Sequence, residues 1–111
     1  MREEKIIVKD LFSSAISKNN ALLLREYIIQ LLEKNRIVRL DFSGITRYTI
    51  LFFNFSTGYF IFKLDGKEEY NKRIKIEGLT KLGQSFYTDS YNNAVKKFEE
   101  EQNGIKRIWF E

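Results

Sequence analysis

Apolar residues along this chain recur with two different periods, and each change of period marks an element. Ile6, Ile7 and Val8 are β-branched and predict a short strand over residues 5–9. Residues 10–19 read as a polar loop anchored by Leu11, Phe12 and Ile16. Leu24, Tyr27, Ile28, Leu31 and Leu32 then fall at i, i+3, i+4, i+7 and i+8. That spacing predicts an amphipathic helix with Asn20 as its N-cap and Asn35 as its stop, since asparagine accepts an amide hydrogen bond and tolerates the left-handed conformation. Ile37, Val38, Leu40 and Phe42 make residues 36–42 a nearly continuous apolar strand, the pattern of a central strand covered on both faces. Ser43-Gly44 ends it in a turn.

The next segment, 49–64, carries Ile50, Leu51, Phe52, Phe53, Phe55, Tyr59, Phe60, Ile61 and Phe62. Helical and strand periods both fit this run; its length and its place after a strand and turn decide for a second helix. Asp65-Gly66 and Asn71 mark a polar loop. Ile74 and Ile76 alternate with charges in a half-buried strand over 73–77. A connector at 78–83 leads to a third helix over 85–103, with Tyr87, Tyr91, Ala94, Val95 and Phe98 inward and Asn103-Gly104 as its stop. The tail, 105–110, has strand composition and forms either an edge strand or a segment that packs on a partner. This order, β-α-β-α-β-α with or without a C-terminal strand, predicts an α/β fold. One domain spans residues 1–111, a small mixed sheet flanked by three helices.

Composition narrows the class. Hydrophobic residues make up 43% and charged residues 31% of the 111, enough apolar surface for a core without staples. Cysteine is absent, so no disulfide framework exists; with no apolar leader and no run of about eighteen apolar residues, the expected location is cytoplasmic and no membrane contact is expected. The net charge of +4, with a pI near 9.3, is spread among fifteen acidic residues and makes no concentrated nucleic-acid face.

Histidine is also missing, which removes the commonest general base, the Ser-His and Cys-His dyads and the usual zinc sites. The acidic runs Glu68-Glu69 and Glu99-Glu100-Glu101 read as solvated faces, and no glycine-rich phosphate loop is present, so no catalytic residue, metal or cofactor is expected. Two polar residues remain. Asp41, at the end of the apolar strand, lies where α/β folds place their sites, and its side chain suits the backbone amides of the turn. Thr49 suits the N-cap of the second helix. The aromatic run exceeds what one helix can hide against one sheet face, so part of it is expected in an interface, a homodimer included.

These residues carry a family resemblance. Asp41-Phe42-Ser43-Gly44-Ile45, followed by Thr49, Phe52, Asn54 and Gly58, resembles the signature of the STAS-like domain of unknown function, itself similar to the sulphate-transporter and anti-sigma-factor-antagonist domain. In element order the resemblance spans 4–98; its motif lies within 37–58. It implies a sheet flanked by helices, with the loop after the central strand as the working surface and a histidine-kinase-like ATPase as protein partner. The implied docking residues are Ser43, Gly44, Thr46, Arg47, Thr49, Phe53 and Asn54. In the antagonist relatives a serine at the start of the second helix is phosphorylated. Here Ile50 stands at that position, Thr49 is the remaining hydroxyl and the candidate for phosphorylation, and an aromatic, Phe55, replaces an acidic residue. The expected function is a non-enzymatic protein-interaction and regulatory module. Two other classes stay open: a small basic nucleic-acid-binding regulator, on the pI and the Lys106-Arg107 and Trp109-Phe110 tail, and a phage or mobile-element inhibitor of a host enzyme.

Overall fold

A computed structural model describes the backbone of residues 1–110 and the side chains of residues 1–103. Three strands, β1 (Arg2–Ile7), β2 (Arg36–Asp41) and β3 (Ile74–Glu77), form one sheet in the order β1-β2-β3. Five helices accompany them: α1 (Lys18–Glu33), α2 (Ile50–Phe55), α3 (Tyr59–Lys63), α4 (Lys67–Arg73) and α5 (Lys81–Phe110). The sheet is parallel throughout, not mixed, because each strand is joined to the next by a helical crossover that returns the chain to the same end.

The first strand begins earlier than expected and ends at Ile7. Val8 turns into the core, and its carbonyl accepts from the amides of Leu11 and Phe12 in a single 3-10 turn. Helix α1 starts two residues before Asn20, and its cap lies three before it. Its N-cap is Ser17, whose hydroxyl accepts from the Asn20 amide at 3.0 Å. Ala21, Leu24 and Ile28 bury the inner stripe, while Tyr27 stays exposed. Asn35 adopts the left-handed conformation at φ 59°, the stop its amide side chain favours.

Strand β2 is central, but only one of its faces is covered. Val38 and Leu40, with Phe42 beyond the strand, are buried beneath the helices. The opposite face holds cross-strand rows, Glu3 beside Ile37, then Lys5, Arg39 and Lys75, then Ile7, Asp41 and Glu77. No residue of these rows is fully buried. A parallel sheet is ordinarily covered twice; here alternating charge makes the second face compatible with water. Arg39 grips Glu3 through two nitrogens at 2.9 and 3.0 Å, which lowers the Glu3 carboxyl below its usual range.

The aromatic segment is not one helix. It breaks at Ser56–Thr57–Gly58, where the Ser56 hydroxyl donates to the Phe52 carbonyl at 2.8 Å and the Gly58 amide donates to the Phe53 carbonyl at 2.8 Å. The break gives the two halves separate directions, so Phe52 and Phe53 on α2 and Phe60 and Ile61 on α3 all reach the core. Lys18 and Arg25 on α1 then cover two ring faces, standing 4.6 Å over Phe55 and 4.1 Å over Tyr59. The expected surplus of exposed aromatics is thereby absorbed within the fold, leaving Leu51 and Phe62 as the large apolar side chains of this segment that are exposed.

The loop expected after Asp65-Gly66 contains helix α4. Its signal is the charge order, with Glu68 and Glu69 in the first turn and Lys72 and Arg73 in the last, each complementing the helix dipole. Helix α5 begins at Lys81, four residues before the expected start, because Thr80 accepts from the Gly83 amide at 3.1 Å. It also runs through Asn103-Gly104, since an internal glycine costs a helix only about 1 kcal/mol against alanine. The backbone of 105–110 is therefore helical where a strand was expected; the packing of those tail side chains lies outside the described residues. No helix among the described residues is long and apolar enough to cross a membrane.

Helices α4 and α5 are locked by tyrosines. The Tyr70 and Tyr87 hydroxyls lie 2.7 Å apart, and the Tyr91 hydroxyl donates to the Asn71 side chain at 3.1 Å. Burial pushes the Tyr70 phenol well above its ordinary 10.0 and the Tyr87 phenol up to about 12. The unfolded chain releases these protons from pH 10 upward while the folded chain retains them, so the unfolded state binds fewer protons and stability falls as pH rises from 10 to about 12. Absorbance at 295 nm should show these two phenols ionising together with unfolding; their titration near pH 10 in a chain that stays folded would contradict the buried pair.

Candidate functional site

The parallel strands converge on one end of the sheet, and the expected docking loop leaves from it. Asp41 closes β2 by accepting from the Ser43 amide at 2.9 Å, the role expected for it. The Ser43 hydroxyl and then that amide hold the Asp41 carboxyl below its usual range. Gly44 sits at φ +84° under the side chain of Lys9. Neighbouring strands complete a charged cluster. Lys5 Nζ lies 3.4 Å from Glu77 Oε1 and 4.0 Å from Asp41 Oδ2, and Arg39 Nε lies 3.8 Å from the same Glu77 oxygen. That oxygen is buried and accepts no hydrogen bond, so the two flanking cations stabilise it through charge alone.

Gly78, at φ +79°, follows β3 directly and packs against this turn. A β-carbon there would stand 2.6 Å from the Ser43 amide nitrogen and 2.7 Å from Asp41 Oδ1. The Phe42 amide donates to the Glu77 carbonyl at 2.9 Å just before the turn, so β3 and the loop are held in register. Neither Gly78 nor the cationic pair Lys5 and Lys9 was singled out from the sequence. The glycine immediately after an alternating strand was the available signal for the first; the lysines are distant in sequence and carry none.

Beyond Gly44 the loop is exposed but fixed. Ser43, Thr46 and Arg47 face solvent, while Ile45 and Tyr48 are buried. The Tyr48 hydroxyl donates to the Ile45 carbonyl. The Ala15 amide donates to the Arg47 carbonyl and the Thr49 amide to the Ala15 carbonyl, both at 2.9 Å, so residues 47–49 run as a one-bridge parallel extension beside Ala15. Thr49 is the N-cap of α2, as expected: its hydroxyl accepts from the Phe52 amide at 3.1 Å and donates to the Ile16 carbonyl at 2.7 Å. Adding a phosphate to that hydroxyl removes its proton and with it the bond to the Ile16 carbonyl.

The remaining expected docking residues separate. Phe53 is fully buried among Phe42, Tyr48, Phe52 and Tyr87, with ring centroids 5.5–6.0 Å away. It belongs to the core and offers a partner nothing, because α2 packs this ring among four others. Asn54 is exposed, but it faces α5, where its Oδ1 accepts from the Ser90 hydroxyl at 2.7 Å. It lines a groove of about 580 Å³ between α2, α3 and α5. Among the described residues no three His, Cys, Asp or Glu side chains converge on a point that would hold a metal.

Comparison with known proteins bears on the same elements. No curated protein and no solved structure matches the chain. The family model for a STAS-like domain of unknown function matches residues 20–84, more than half of the chain. The match runs from the start of α1 to the first turn of α5 and so contains β2, the exposed loop, the broken aromatic segment, β3 and Gly78; β1 and most of α5 fall outside it. Motif, parallel sheet and match agree, and the chain belongs to the STAS-like domain family of unknown function (DUF4325).

Proposed function

We propose that this chain is a non-enzymatic regulatory module that docks a partner protein on the loop formed by Ser43, Gly44, Thr46 and Arg47. The observation that carries this reading is an exposed loop whose backbone is nevertheless held, at Asp41, at Ala15 and at Tyr48. A surface ordered before binding loses little conformational entropy on docking, so modest contacts suffice for a specific complex. Family resemblance suggests the class of partner, a histidine-kinase-like ATPase. Phe53 is withdrawn from the docking set, and Thr49 serves the loop as a cap.

The test is quantitative affinity isolation with mass spectrometry, with and without ATP, using the unaltered chain and an Arg47→Glu, Thr46→Glu variant. Both substituted side chains are exposed, so each change should alter stability by less than about 0.5 kcal/mol. The expected result is one protein recovered with the unaltered chain and lost with the variant. Recovery of no specific protein, or equal recovery with both chains, overturns the reading.

A further inference from the structure

Helix α5 runs most of the length of the molecule. Its thirty residues extend about 45 Å, and among the described residues Phe98 is the last that packs against the core, its ring meeting Phe62 edge-on at 5.8 Å. Residues 99–103, still helical, are exposed beyond that contact; with α5 included the molecule measures 51 Å along its longest axis against 30 and 22 Å across.

Beside this same stretch lies the 580 Å³ groove. Phe55, Phe62 and Ala94 supply its apolar lining, and Phe62 remains 38% exposed. On α5 the groove is lined by Asn93, Ala94, Lys96, Lys97 and Glu100, and of these Asn93, Lys97 and Glu100 are spaced four and then three residues apart. That is the spacing of a helix seam that meets another helix. Neither Lys97 nor Glu100 makes an ion pair among the described residues.

A lysine and a glutamate one turn apart on one seam are complementary to their own copies under a two-fold axis. In an antiparallel pair of α5 helices centred between them, each Lys97 stands opposite the other copy's Glu100. A parallel pair would set like charge against like. The antiparallel arrangement also lays the overrunning end of each α5 along the groove of the other copy. We propose that the groove between α2, α3 and α5 is the interface of an antiparallel, isologous homodimer. Its α5 wall lies beyond the family match and is distinct from the loop at Ser43 to Arg47, so both surfaces can be used at once.

Sedimentation equilibrium on the full chain, from micromolar concentration upward, tests this. A mass twice the 13.3 kDa of the monomer is expected, with Lys97→Glu or Glu100→Lys alone weakening the dimer about tenfold. The double variant carrying both changes inverts each pair without removing it and is expected to restore association to within about twofold. Circular dichroism confirms that each variant is folded. A 13.3 kDa species at every concentration overturns the proposal, as does a dimer indifferent to the single reversals or a double variant no tighter than either single one. A monomer whose groove variants lose a different bound protein assigns the groove to that protein and equally overturns it.

Discussion

Replacing Phe53 with alanine is expected to cost about 3–5 kcal/mol of stability, the range for an aromatic side chain removed from a closed core. The ring is fully buried and sits where four other rings meet, so its loss opens a cavity that no single neighbour can fill. A domain of this size has on the order of 5–15 kcal/mol in total, so the variant stands near the edge of unfolding. Phe62→Ala is the comparison. That ring is partly exposed and touches Phe98 edge-on, so its removal should cost about 1 kcal/mol or less. Urea denaturation followed by circular dichroism measures both. Equal costs would mean that Phe53 is not enclosed by the four neighbouring rings, and its place in the core would be wrong.

Gly78→Ala is expected to cost about 2–5 kcal/mol. Left-handed backbone geometry accounts for about 1–2 kcal/mol in any residue with a β-carbon. The remainder, about 1–3 kcal/mol, comes from forcing a methyl group into a packed site. The obstructing atoms are the Ser43 amide and the Asp41 carboxylate, which cannot retreat without breaking their own hydrogen bond. Gly44→Ala separates the two causes. Gly44 has a similar φ, +84° against +79°, but its β-carbon would meet the flexible end of Lys9. Only the backbone cost should appear there. Denaturation curves in which Gly44→Ala costs as much as Gly78→Ala would contradict this account. Because Gly78 supports the docking loop from beneath, its alanine variant should also weaken the partner complex, whereas Arg47→Glu should weaken the complex and leave stability alone.

The sequence was most informative where a local device decides the outcome. Asn35 stops α1 through its own tolerance of positive φ, Asp41 caps its own turn, and Thr49 caps its own helix. Each acts within a few residues of itself, so position and chemistry suffice. The motif from Asp41 to Gly58 was legible for the same reason, and it led to the family that the match over 20–84 establishes. The charge order of α4 was equally present in the sequence, but the turn-forming Asp65-Gly66 beside it drew the reading toward a loop. Asn103-Gly104 misled in the opposite direction, because a helix stop requires the left-handed turn and not merely residues that favour it.

By itself, then, the sequence determined the α/β class, the central place of the Arg36–Asp41 strand and the exposed turn that follows it, since periodicity and capping are properties of neighbouring residues. Only the tertiary structure decided which side of each element meets the core. It placed Phe53 inside among four other rings, broke the aromatic segment at Ser56–Thr57–Gly58, left one face of the parallel sheet to Lys5, Arg39 and Glu77, and set Gly78 beneath a turn thirty-five residues earlier in the chain. Those outcomes depend on contacts between residues distant in sequence. Burial is settled by the sum of such contacts, and a strand or helix whose residues suit either side takes its orientation from what packs against it.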